Sequence, residues 1–179
     1  MKYFLFYDEK SMKIFDFSNA KFIFIVYALM CTWSSLTHNT LLSVSTAIDH
    51  YFDIDLSSIY SYAEVWAGID YFSLVVLAPV IETIIFQVII QNISRKITSS
   101  LFLSVLIASF LFSLTHLTNN IANAVNALGL GVAFAVTYEY FRVKYGHCWA
   151  TLVTILLHAF WNASLSYSFY PEKLMGSGM

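Results

Sequence analysis

The chain has 179 residues, 59% of them hydrophobic and 18% aromatic, with 11% charged and a mean hydropathy of +0.69. Soluble domains carry about 25% charged residues, so the composition implies an integral membrane protein. The net charge of −2, with no basic patch interleaved with aromatics, excludes a nucleic-acid partner.

The length suits a single membrane domain over 1–179. The first twenty residues alternate charges with aromatics (KYFLFYDEKSMKIFDF) and contain no cleavage site, which reads as an interfacial amphipathic lead-in. A spanning helix needs about 20 apolar residues. Five stretches meet or approach that length: 21–45, 66–93, 98–117, 121–141 and 148–169. The expected fold is therefore all-α, a polytopic bundle of about five transmembrane helices. Thr37, His38 and Asn39 make the second half of the first stretch polar. A connector, 46–65, carries Asp49, Asp53, Asp55 and Glu64 without a cation. Pro79 predicts a kink in the second span. Cys31 and Cys148 lie in or beside separate spans and read as packing residues rather than a disulfide framework.

Positive charge sets the expected orientation. Lys2, Lys10, Lys13 and Lys21 precede the first span, Arg95 and Lys96 follow the second, and Arg142 and Lys144 follow the fourth. The opposite side has Lys173 alone. This pattern predicts a multi-pass plasma-membrane protein with a cytoplasmic N-terminus and an external C-terminus.

The stretch APVIETIIFQVIIQN places one carboxylate, Glu82, inside the second span. A charge at mid-bilayer costs about 2.5–3.5 kcal/mol on insertion scales, so such a residue normally faces a polar cavity. His116 ends the third span. His158 and Asn162 lie one turn apart on one face of the fifth, as do Phe112 and His116 on the third. The predicted topology puts these groups at depths compatible with one cluster between helices two, three and five.

Such a cluster suits peptide-bond hydrolysis. Glu82 can act as a general base toward water, one imidazole can hold that water or donate to the departing amine, and an imidazole with an amide can stabilise an oxyanion. The same carboxylate and histidines could instead bind zinc, although the H-E-x-x-H motif is absent. The competing structural readings are interhelical hydrogen bonding for His158 and Asn162 and an interfacial place for His116. His38, His50 and His147 read as interfacial or solvated. Glu139 is expected to pair with Arg142 or Lys144. Asn119, Asn120, Asn123 and Asn126 read as a loop and helix start that could border the outer mouth.

In order and spacing these residues resemble the CPBP family, which comprises the type II (Rce1-like) CAAX prenyl proteases and the bacteriocin-processing or Abi membrane proteins. That family carries E-E-x-x-x-R on one transmembrane helix, F-x-x-x-H on the next and H-x-x-x-N/D on a later one. The counterparts are Glu82 to Gln87, Phe112 to His116, and His158 to Asn162, with Ala78 and Pro79 ahead of the glutamate and Phe86 before the arginine position. The resemblance covers the core, 76–166. It implies an intramembrane endopeptidase in which Glu82, His116, His158 and Asn162 are catalytic and Thr83, Phe86, Gln87 and Phe112 are supporting. It implies no cofactor; a metalloprotease would instead place zinc on Glu82, His116 and His158. Its partners would be the lipid bilayer and a peptide or protein substrate, in a bacterial setting of bacteriocin processing or self-immunity.

Two positions depart from the motif. Thr83 stands for the second glutamate and Gln87 for the arginine, leaving only neutral hydrogen bonds where the family has charged groups. That motivates an alternative, an inactive family member acting in immunity or partner binding. A proton or ion transporter using Glu82 and the histidines fits less well, because no internal repeat is present.

Overall fold

The computed structural model describes residues 18–52 and 70–169, with side chains as far as Ser166. These residues form five helices and, among the described residues, no strand: α1 (Asn19–Phe52), α2 (Ser73–Thr98), α3 (Leu101–His116), α4 (Ile121–Tyr145) and α5 (His147–Phe169). The lead-in, most of the 46–65 connector and the start of the second predicted span, 66–69, lie outside the described residues.

The helical membrane bundle is as expected, with different lengths. Four helices are long and apolar enough to cross a membrane, while α3 has 16 residues. At 1.5 Å per residue α3 reaches about 24 Å, short of a hydrocarbon core of about 30 Å. The first helix runs on through Asp49 and His50 to Phe52, past the predicted end at 45. Arg95 and Lys96 lie in the last turn of α2, where long aliphatic stems let the helix continue while their charges reach the interface.

Helix α4 is the axis of the bundle, with the largest share of its apolar stretch buried. Alanines and glycines at 122, 124, 127, 131 and 135 let neighbouring backbones approach it closely. At Gly131 a Cβ would lie 3.0 Å from the Ser109 Cα, so α3 and α4 touch backbone to backbone. Helix α1 lays Phe22, Val26 and Met30 on the bundle, with Phe22 stacked on Tyr140 at 3.7 Å between centroids. Its Tyr27 hydroxyl donates to Ser164 Oγ at 3.1 Å, and its Trp33 indole donates to the Asn126 carbonyl at 3.0 Å. Phe24, Leu29 and Leu36 are exposed on the other face, as a lipid-facing surface requires.

Both cysteines are exposed, so neither is the packing residue expected from sequence. Glu139, buried on α4, pairs with Arg142 (2.7 Å) and also with Arg95 of α2 (2.9 Å). Lys144 donates instead to the Tyr140 hydroxyl at 2.6 Å.

Candidate active site

The site begins with Pro79. Around it α2 is built from wide π-type turns, over Ser73–Leu77 and again over Thr83–Gln91. The Ala78 N–H donates to the Ser73 carbonyl, five residues back. Continuing that pattern would pair the nitrogen of residue 79 with the Leu74 carbonyl, but proline has no N–H to give. Asn162 of α5 supplies the missing donor: its Nδ2 reaches the Leu74 carbonyl at 2.9 Å. The proline thus creates an orphan acceptor, and the orphan ties α2 to α5 one turn from His158.

This tie puts Glu82 opposite His158, with Oε2 and Nε2 3.5 Å apart. The separation exceeds a hydrogen bond and lies within reach of one bridging water. The Glu82 side chain is 26% exposed, His158 only 5%, so water can reach the carboxylate while the imidazole is held. His158 stacks on Phe134 at 4.2 Å and meets the edge of Phe112. Its Nδ1 is buried without a partner. An unpaired buried donor costs more than an unpaired lone pair, which assigns the proton to Nε2, facing Glu82.

His116 is fixed differently. Its Nδ1 lies 2.9 Å from the Phe112 carbonyl, which can only accept, so Nδ1 donates and the neutral ring keeps a lone pair on Nε2. Phe112 also packs against the His116 ring at 4.6 Å and against Phe86 at 5.3 Å, so one aromatic side chain backs both histidines.

Glu82, His116, His158 and Asn162 all border one cavity of about 420 Å³, together with Phe112. Thr83, Phe86 and Gln87 do not border it; all three are buried behind the wall. Thr83 Oγ1 and Gln87 Nε2 have no hydrogen-bond partner. The wall also takes in three of the asparagines that could border its mouth, and residues of α1 that sequence reasoning missed. Asn119, Asn123 and Asn126 line the cavity, whereas Asn120 caps α4 by accepting from the Asn123 N–H at 2.7 Å. His38, read as interfacial or solvated, lines it with Ser34 and Ser35. The polar second half of the first span and the three-residue spacing of Asn123 and Asn126 were the available signals. His50 and His147 are exposed, and His147 Nδ1 meets the Tyr138 hydroxyl at 2.7 Å.

The family model for Rce1-like type II CAAX prenyl endopeptidases matches residues 64–164, which takes in every one of the motif positions above. The chain belongs to this family. No curated protein and no solved structure matches it. Membership of the Rce1-like family makes the bundle that of a CAAX-type intramembrane protease family and puts the protein in a lipid bilayer. Helix α1, with Ser34, Ser35 and His38, lies outside the matched segment.

A zinc site needs three or four ligands converging at about 2.0–2.3 Å. Among the described residues no group of three His, Cys, Asp or Glu is arranged to hold a metal ion, the set Glu82, His116 and His158 included.

Proposed function

We propose that this chain is an intramembrane endopeptidase that hydrolyses a peptide bond in a membrane-presented peptide or protein segment, using water activated by Glu82. The observation that carries the reading is the 3.5 Å approach of Glu82 Oε2 to His158 Nε2 on the wall of one cavity among apolar helices. Glu82 takes one proton from water, and the His116 Nε2 lone pair accepts a hydrogen bond from the O–H that remains. The resulting hydroxide attacks the scissile carbonyl. His158 Nε2–H and the second amide hydrogen of Asn162 donate to the oxyanion, and the proton held by Glu82 passes to the departing amine. The tautomers fit this division of labour, with His116 beside the base and His158 with Asn162 at the oxyanion.

The charge asymmetry of the loops favours a cytoplasmic N-terminus, which sets His116 and Asn162 toward the outer side; taken with the family resemblance, this supports a bacterial plasma membrane and an exported peptide such as a bacteriocin precursor as substrate. The test is turnover of candidate peptides by purified protein in proteoliposomes, comparing wild type with Glu82→Gln and His158→Phe. Removing one oxyanion donor typically lowers kcat about 10²–10³-fold, so His158→Phe is expected to fall at least about a hundredfold, and Glu82→Gln further. Equal turnover in all three refutes the assignment.

A second reading, an inactive member serving in immunity or partner binding, is favoured by Thr83 and Gln87. Their buried Oγ1 and Nε2 are unpaired where the motif has a glutamate and an arginine. Thr83→Glu with Gln87→Arg discriminates: proteolysis gained by an inactive parent supports this reading, and a parent already active refutes it.

A further inference from the structure

The tie between α2 and α5 fixes an orientation as well as a distance. Within α2 the Leu74 carbonyl has two backbone donors in reach of a helical turn, the nitrogens of residues 78 and 79. The Ala78 N–H is given to the Ser73 carbonyl, and Pro79 has no N–H. The carbonyl is left to a side chain, and Asn162 Nδ2 takes it at 2.9 Å.

A side-chain amide can flip, exchanging nitrogen and oxygen, and its hydrogen-bond partners decide between the two arrangements. A carbonyl only accepts, so Leu74 holds the Asn162 nitrogen toward itself and excludes the flip that would set Oδ1 against it. The nitrogen carries two hydrogens, of which Leu74 takes one. Leu74 and Asn162 both border the cavity with Glu82 and His158, so the amide stands at the wall as a donor before any substrate arrives. A donor fixed in advance needs no reorganisation when charge develops on the substrate oxygen. An N–H at residue 79 would satisfy Leu74 within its own helix and release the amide to either flip.

We propose that Pro79 is a positioning residue: by withholding a backbone N–H from Leu74, it locks the Asn162 amide in the orientation that donates to the oxyanion. This rests on the endopeptidase reading and extends its machinery to a residue that touches no substrate.

The kinetic test separates the proline ring from its missing N–H, using the wild type's best quenched peptide from a randomised set. Pro79→Ala restores the N–H and should lower kcat about tenfold, the worth of one hydrogen bond, with KM changed by less than about threefold. The same Pro79→Ala chain with an ester in place of the 78–79 peptide bond, introduced by suppression with the α-hydroxy acid, has neither ring nor N–H. Its kcat should return to within about threefold of wild type. Asn162→Ala should lower kcat about 10²–10³-fold, and Pro79→Ala should cost nothing further on top of it. An unchanged kcat in Pro79→Ala, an ester that fails to restore it, or a loss that persists in the Asn162→Ala background overturns the proposal. Either of the last two assigns the effect to the bend that the ring puts in α2.

A second readout needs no turnover. In protein labelled with ¹⁵N-asparagine, the Asn162 side-chain signals are those lost in Asn162→Ala. One of the two amide protons should stand downfield in the wild type, move upfield in Pro79→Ala and return in the ester. Signals that do not respond overturn the proposal even in an active enzyme. The expected shifts in a protein that cleaves no peptide would instead refute the endopeptidase reading alone, with the lock on Asn162 intact.

Discussion

Placing a methyl group at Gly129 tests how α1 is attached to the family core. A Cβ there would lie 2.2 Å from Trp33 Nε1 and 2.4 Å from both Cδ1 and Cε2. Carbon contacts are comfortable at about 3.5–4.0 Å, and the body of an indole cannot bend aside as a flexible tip can. The ring must move, and with it goes the 3.0 Å hydrogen bond to the Asn126 carbonyl. Overpacking costs about 1–3 kcal/mol and the lost hydrogen bond about 0.5–1.5 kcal/mol, so Gly129→Ala should destabilise by about 2–4 kcal/mol. The three nearest atoms all belong to Trp33. In a Trp33→Ala background the same substitution should therefore be near neutral, or stabilising by up to about 1 kcal/mol through helix propensity. Reversible unfolding of the four proteins of this cycle in mixed micelles, followed by circular dichroism, measures the coupling. A coupling within about 0.5 kcal/mol of zero, the range for independent sites, would refute the close packing. Ser34 and Ser35 follow Trp33 onto the cavity wall, so peptide KM should rise in Gly129→Ala as well.

Two further outcomes are expected. Glu139→Gln removes the carboxylate between the Arg95 and Arg142 guanidinium groups, 2.9 and 2.7 Å away, and leaves two like charges side by side. It should destabilise by about 3–5 kcal/mol, part of which Arg95→Gln in the same protein restores; a loss under about 1 kcal/mol in the thermal unfolding of the single variant contradicts the pairing. At the start of α2, the Ser73 hydroxyl (2.5 Å) and backbone N–H (2.9 Å) donate to Asp70 and hold its carboxyl below the ordinary carboxylate range. Because the folded value is the lower one, this contribution is complete above the unfolded value of about 3.9 and is lost as pH falls through the folded value. Hydrogen exchange at the Ser73 and Leu74 amides should accelerate on acidification below about pH 4 beyond the intrinsic rate, and Asp70→Asn should abolish that dependence.

The sequence alone determined the solvent and the parts. Apolar stretches of about 20 residues with few charges must lie in lipid as helices, because no other open backbone satisfies its hydrogen bonds there. Glu82, His116, His158 and Asn162 stood out because polar groups at membrane depth are costly. What the sequence left open was which faces meet. In lipid the outward face of a helix is as apolar as its packed face, so hydrophobic periodicity does not mark the inside. Phe24 and Phe22, two residues apart on α1, are chemically identical, yet one is exposed and the other stacks on Tyr140.

Only the tertiary structure decided the rest. It set Glu82 against His158, turned the Asn162 amide to the carbonyl orphaned by Pro79, and gave Glu139 its second arginine from α2. It also brought Ser34, Ser35 and His38 to the cavity from a helix outside the family match. Each of these joins residues far apart in the chain through backbone groups and packing distances. A sequence names the side chains that can do chemistry; which of them share a cavity depends on where helices touch, and in a bilayer small residues and single hydrogen bonds decide that.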